Sequence, residues 1–377
     1  MEKRKKIGLL GLHYGPNYGT ILQAYALAKI IRQNGYDCEY VQYCRHLRNP
    51  LLRFAIRVIK VVLKWLGLIK INKNDEFYFF KTDDFRKVIT RFNKFHKQYI
   101  PCSKKKYTAC DTEKINAIYD DFVVGSDQTW SDFINSSNDY VFFLPFVNDK
   151  AKKKSYAPSI GTISISEDYL KILGDKLADF SYLSCRERQN CNVIEKIAGK
   201  ECEYVVDPTL LLTPEEWNEI ASPINLPQQY ILCYILGQKQ CIVDFAEQLG
   251  KEKNLPVYYI LTTPFVLDKD KLLDDVGPRE FVSLICNASY VVTDSFHGTI
   301  FSINYNVNFY SFNKRLQEAK MDNDRIMLIL DEFGLKDRFR NDGEFQFVDD
   351  IDFSFANERM KVLRSQSISY LKNMLND

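Results

Sequence analysis

The first apolar run, residues 6–12 (KIGLLGL), is short and breaks into Gly15-Pro16-Asn17-Tyr18-Gly19. The period then changes. Leu22, Ala26, Leu27, Ile30 and Ile31 fall on one stripe, which predicts a helix over 20–34 that ends at Gly35. Residues 38–42 (CEYVQ) return to a strand pattern, completing a strand–helix–strand unit of the kind that builds parallel sheets. Further strand-like runs lie at 117–124, 155–158, 182–185 and 204–206, each closing on Gly, Pro or polar residues. A second series starts after Pro223 and Pro227, with strands at 230–236, 256–261, 290–293 and 308–312. Its helices are predicted at 240–249, 279–287 and 299–305.

Alternation of this kind in both halves predicts two doubly wound, Rossmann-like α/β domains facing a cleft. The expected division is an N-terminal α/β domain over 1–222, with a helical insertion at about 47–100, and a C-terminal α/β domain over 223–350. A last helix over 351–377 can then pack back on the first domain. Within the insertion, residues 51–70 read as one helix with Arg53, Arg57, Lys60 and Lys64 on a single face. Such a helix either packs on its own domain or lies on an anionic membrane surface.

Composition narrows the function classes. The chain has 377 residues, 46% apolar and 27% charged, as in soluble globular proteins, and its net charge of +2 gives no general attraction to nucleic acid. Ten cysteines include no C-x-x-C pair, and none of the four histidines stands at zinc-ligand spacing from a cysteine. The expectation is reduced, packed cysteines, a cytoplasmic setting and no metal or cofactor. Residues 6–12 are too short for a signal-peptide core, and no stretch reaches about 18 uncharged apolar residues.

In a doubly wound sheet, ligands lie beyond the carboxyl ends of the strands, so the strand-end residues carry the candidate chemistry. Thr293-Asp294-Ser295-Phe296-His297-Gly298-Thr299 brings a strand to a histidine just ahead of a helix, whose free amides suit an anion. His297 can supply a proton there; the plain alternative is a helix cap. Arg186, after the 182–185 run, suits carboxylate or phosphate recognition, or is an ordinary surface charge. Gly125-Ser126-Asp127-Gln128-Thr129-Trp130 offers polar groups followed by a ring face, the ingredients of sugar binding, or else a capped turn. Asp207-Pro208 reads as a structural turn starter. Asn17 and Gln23, in a loop that matches no nucleotide motif, either contact a ligand or shape the loop.

Six segments, in order from Asn17-Tyr18-Gly19-Thr20-Ile21-Leu22-Gln23 to Asp294-Ser295-Phe296-His297-Gly298-Thr299, resemble the polysaccharide pyruvyl transferase family. Between them come Val124 to Trp130, Ser155 to Gly161, Arg186-Glu187, and Asp207 to Leu211. The resemblance implies a GT-B-like pair of domains, phosphoenolpyruvate as co-substrate, and a sugar diol of a capsule or exopolysaccharide, or of its lipid-linked precursor, as acceptor. The product would be a pyruvyl ketal, made at the inner face of the membrane. On this basis Arg186 and His297 would bind the donor, with Asp294 orienting His297 as the third catalytic residue. Gly125, Ser126, Asp127, Gln128, Ser159, Gly161, Asn17, Gly298 and Thr299 would bind substrate. Many members have a basic residue where this chain has Ser295, so Arg188, Lys314 or Arg315 would have to hold the phosphate. The alternatives are a GT-B-type nucleotide-sugar glycosyltransferase and a non-catalytic glycan-binding protein.

Overall fold

The computed structural model describes residues 4–43, 83–137, 140–161, 165–237, 239–260, 271–313 and 323–377. The predicted helix 51–70 lies outside these residues. The chain forms two Rossmann-like α/β domains. The first sheet runs β2 (Asp37–Tyr40), β1 (Lys6–Leu10), β3 (Asp121–Asp127), β4 (Lys153–Pro158), all parallel. It is continued through a Lys154–Tyr182 bridge by the parallel pair β5 (Leu183–Cys185) and β6 (Cys202–Tyr204). The second sheet has the order β12 (Phe339–Arg340), β11 (Asn308–Phe312), β10 (Tyr290–Thr293), β7 (Ile231–Tyr234), β8 (Val257–Ile260), β9 (Leu272–Leu273), again parallel.

All seven residues of β3 and all four of β7 and β10 are buried, as expected of strands covered on both faces. Chain order reverses between β1 and β3 in the first sheet and between β7 and β10 in the second. These are topological switch points, where connections leave on opposite faces and a crevice opens at the strand ends.

Several boundaries differ from the sequence expectation. Ala117 and Ile118 end a helix, Thr112–Ile118, rather than starting β3, which begins at Asp121; the apolar residues on either side of Asp120-Asp121 belong to different elements. The first helix, Tyr18–Gln33, starts two residues early because the Asn17 side chain accepts from the Thr20 amide at 3.0 Å. The helix expected from residue 299 is Phe296–Tyr305, capped by the Ser295 hydroxyl, so His297 sits in its first turn.

The first helix also joins the domains. Tyr18 is 2% exposed, stacks on Phe281 at a centroid distance of 4.5 Å and donates to Val276 O at 2.9 Å. Such a ring pair contributes ~1 kcal/mol beyond its burial. The closing helix, Ser354–Asn376, lies along the first sheet. There Lys154 donates to Met374 O at 2.7 Å, Tyr370 donates to Ser155 O at 2.9 Å, and the Val206 amide donates to Ser367 Oγ at 3.0 Å. Among the described residues no helix is long and apolar enough to cross a membrane, and the described cysteines are free thiols.

Candidate functional site

Three strand ends of the first domain converge on one guanidinium. Arg186 follows β5 and its side chain is 1% exposed. Its terminal nitrogens donate to Asp207 Oδ2 at 2.6 Å and to Asp127 Oδ1 at 3.2 Å, and its Nε to Glu187 Oε1 at 3.4 Å. Each carboxylate is held from a second side. Thr20 in the first helix donates to Asp127 Oδ2 at 2.7 Å. Ser159 donates to Glu187 Oε1 at 2.5 Å. Asp207 caps the short Pro208–Leu211 helix, where Oδ1 accepts from the Thr209 amide at 3.0 Å and from its hydroxyl at 2.8 Å.

With Oδ1 occupied, Oδ2 of Asp207 faces both Arg186 and the second domain. His297 Nε2 lies 3.6 Å from it. That is within ion-pair range but too long for a hydrogen bond, and Nε2 is a buried atom with no hydrogen-bond partner. The opposite edge of the ring rests on the first helix. A Cβ added at Gly19 would lie 2.0 Å from His297 Nδ1, so only glycine admits the imidazole. Burial works to raise the Asp207 carboxyl, but the facing His297, with Arg186 and the Thr209 amide, outweighs it and holds the group well below the usual range. Asp127 is likewise lowered, with Arg186, His297 and Thr20 overcoming the effect of its burial.

Arg186 also belongs to the wall of a cavity of about 360 Å³ between the domains, shared with Arg188, Phe296, Arg325, Glu332 and Arg359. Arg186 and Arg325 both lie over the Phe296 ring, at 4.9 and 5.9 Å. With its amide oxygen turned to Arg325, Gln128 accepts from both terminal nitrogens at 3.0 Å. Arg188 and Arg359 both reach Glu332. The cavity wall thus carries four arginines together with the carboxylates of Glu187, Asp331 and Glu332, and Arg186 links it to the Asp207 carboxylate that faces His297 Nε2.

The geometry redistributes the expected roles. Arg186 and His297 do meet in one crevice, through Asp207. Asp294 does another job: its two oxygens accept from the amides of Leu236 and Gly237 at 2.6 and 2.7 Å, closing the end of β7. The carboxylate in range of His297 is that of Asp207, which the sequence presents as a turn within one of the six family-like segments, with no catalytic role. Trp130 is 0% exposed and stacks on Phe143, so it offers no ring face to a sugar. Ser126 is fully buried, with its hydroxyl on Ala157 O. Gly125 packs on the Tyr156 carbonyl and Gly298 on Thr293, each too closely for a Cβ. Thr299 bonds Ser295 O and Ser311, the Gly161 amide donates to Ser159 Oγ, and Asn17 caps its helix. Gly125, Ser126, Gly298 and Thr299 are buried beneath the crevice, whereas Asn17 is exposed and Gly161 partly so. Lys314 and Arg315 lie outside the described residues. Arg325 and Thr20 were not anticipated. Thr20 stands in the first matching segment, whereas nothing in its sequence setting marks Arg325.

A crevice at the switch points of two parallel sheets, carrying a buried His–Asp pair beside a cavity of mixed charge, defines a two-domain α/β protein with a candidate site between its domains. The family model for polysaccharide pyruvyl transferases matches residues 17–313, and the chain belongs to that family. No curated protein matches the sequence. Similar solved structures include a UDP-GlcNAc 2-epimerase of Methanocaldococcus jannaschii in complex with UDP-GlcNAc and UDP, at 14% identity and a TM-score of 0.44, covering 99% of this chain and 93% of that one. The glycosyltransferase SnogD from Streptomyces nogalater is similar at 9% identity and a TM-score of 0.42, covering 99% and 98%. The wall teichoic acid polymerase TagF is similar at 12% identity and a TM-score of 0.45, covering 99% and 84%.

Proposed function

We propose that this cleft transfers a pyruvyl group from phosphoenolpyruvate to two hydroxyls of one sugar in a cell-surface polysaccharide or its lipid-linked precursor, closing a pyruvyl ketal. The observation that carries this reading is His297 Nε2, a buried nitrogen without a hydrogen bond, set against Asp207 in the crevice where Arg186 enters the cavity wall. A buried polar atom left unpaired is costly, and substrate is its natural partner.

The chemistry fits the groups. Phosphoenolpyruvate carries a carboxylate and a phosphate, and Arg188, Arg325 and Arg359 line a space of suitable volume. Arg186 is engaged by three carboxylates, so its part is to fix Asp127 and Asp207 and only one face remains for the donor. His297 gives its proton to the methylene carbon, and positive charge develops on the central carbon. A sugar hydroxyl attacks that carbon, the carbon–oxygen bond to phosphate breaks, and the second hydroxyl closes the ring. Of the two hydroxyl protons, one balances the new methyl group and the other leaves with phosphate. Asp207 Oδ2 stands 3.6 Å from that same nitrogen, His297 Nε2, and Gly19 packs on the other edge of the ring, so the two hold the imidazole in the crevice. Acceptors of this kind are built on lipid carriers at the inner face of the membrane, which places the reaction in the cytoplasm.

The test is incubation with phosphoenolpyruvate and lipid-linked oligosaccharides, read by mass spectrometry and phosphate release. The expected result is a gain of one pyruvyl ketal per acceptor with one phosphate freed. Thermal stabilisation by UDP- or CMP-sugars but not by phosphoenolpyruvate, with glycosyl transfer in place of the ketal, would overturn it.

A further inference from the structure

Away from the Arg186 cluster, the fold brings together three side chains that the sequence keeps apart. His13 lies on the connection between β1 and the first helix, His96 in the last turn of helix Asp83–Tyr99, and Cys102 on the segment beyond. His13 Nδ1 is 3.0 Å from His96 Nε2, and Cys102 Sγ is 3.8 Å from each of these nitrogens. We propose that His13, His96 and Cys102 form a binding site for a divalent transition-metal ion of the zinc type, with a fourth position left to solvent or another ligand.

The distances are those of one face of a coordination tetrahedron. With Zn–N of about 2.0–2.1 Å and Zn–S of about 2.3 Å, tetrahedral geometry sets N···N edges near ~3.3 Å and N···S edges near ~3.5 Å. The observed triangle departs from these by about 0.3 Å. A hydrogen bond between the two imidazoles accounts for the 3.0 Å edge, and shared thiol contacts account for the two 3.8 Å edges. A single ion would satisfy all three donor atoms at once, which is what the metal reading adds.

The surroundings hold the donors in place. The His13 ring lies between Tyr14 and Tyr40, at centroid distances of 4.0 and 4.5 Å, and Tyr14 also covers His96 at 4.5 Å. Cys102 is pinned by its neighbours: Tyr40 N donates to Pro101 O at 2.7 Å and Ser103 N to Tyr40 O at 2.9 Å. Two nitrogens and one sulfur suit zinc better than magnesium or calcium, which prefer oxygen. Three protein ligands are the number that leaves a position open. The bound ion would tie the β1 loop to the Asp83–Tyr99 helix, and that loop leads to Gly19 beside His297. No local spacing in the sequence announces this cluster, because its three residues come from separate elements.

The experiment is cobalt titration of the full chain after chelator treatment, which reads the site without any assay of activity. The expected result is about one Co²⁺ per chain with a thiolate-to-metal charge-transfer band, displaced by zinc, and a zinc-induced rise in melting temperature. Cys102→Ser and His96→Gln should lose the band and the rise while keeping the wild-type circular dichroism. Cys110→Ser, which alters an exposed thiol, should keep both. No band in the wild type, or a band lost with Cys110 rather than Cys102, overturns the proposal. If Cys102→Ser does not fold, the wild-type titration with and without alkylation of its thiols decides between the same outcomes.

Discussion

Asp207 and Asp294 invite comparison, because each is a buried aspartate beyond a strand end, one in each domain, at 2% and 1% exposure. Asp294 spends both oxygens on backbone amides of the neighbouring strand end, so its charge completes the second sheet. Asp207 spends one oxygen on a helix cap and turns the other toward Arg186 and His297. A sequence pattern can identify an aspartate at a strand end. Whether that charge serves the scaffold or the chemistry depends on how many local amides it must satisfy.

The largest effect expected from this difference is on turnover. His297→Asn and Asp207→Asn should each lower the rate of ketal formation by roughly 10²–10⁴, and Asp207→Asn should also lower the melting temperature, because it removes a charge buried against Arg186. Asp294→Asn should leave the rate within a few-fold. Equal loss in Asp207→Asn and Asp294→Asn, measured as kcat on one acceptor, would erase the distinction. Asp294→Ala orphans the Leu236 and Gly237 amides and should cost about 2 kcal/mol in urea unfolding.

Acid sharpens the same contrast. The Asp207 carboxyl is lowered in the folded protein, so the stability it confers is fully present above its ordinary value of ~3.9 and is lost as pH falls through the lowered one. Asp127 acts in the same direction. Wild-type unfolding free energy should therefore drop steeply once pH falls below about 4. Asp207→Asn should flatten part of that slope. A slope unchanged in that variant, measured by denaturant melts across the acid range, would mean the pairing with His297 and Arg186 contributes little.

The fold was legible where a run was cleanly bounded. The 290–293 and 308–312 strands fall at the residues expected, because each is a short apolar run bounded by polar residues. It was obscure at 117–124, where a helix end and a strand start stand only a few residues apart. Of the site, Arg186 and His297 were legible as a charge and a titratable ring at strand ends. Asp207 was hidden by its second role, since Asp-Pro signals a turn whether or not the free oxygen faces a histidine. Trp130 misled for the converse reason: an aromatic after polar residues resembles a sugar platform, but a fully buried ring is core. Helix 51–70 lies outside the described residues, so a membrane role for it stays an expectation from its charge pattern.

The smallest expected effect concerns Ser295, the residue at which the chain departs from the basic side chain common in its family. Its hydroxyl accepts from the Gly298 amide at 3.4 Å, and its own amide donates to Thr293 Oγ1 at 3.0 Å. Both contacts start the helix that carries His297, so the position is filled by a cap rather than by a cation. Ser295→Ala should then cost about 1 kcal/mol, the usual worth of a serine cap, with little change in KM for phosphoenolpyruvate. Ser295→Thr keeps the acceptor oxygen and should recover most of the stability. If Ser295→Ala instead raised KM tenfold or more with the melting temperature unchanged, the hydroxyl would be a donor contact. The division of labour between Asp294, which closes a strand end, and Asp207, which faces the imidazole, would then have to include Ser295 on the side of the chemistry.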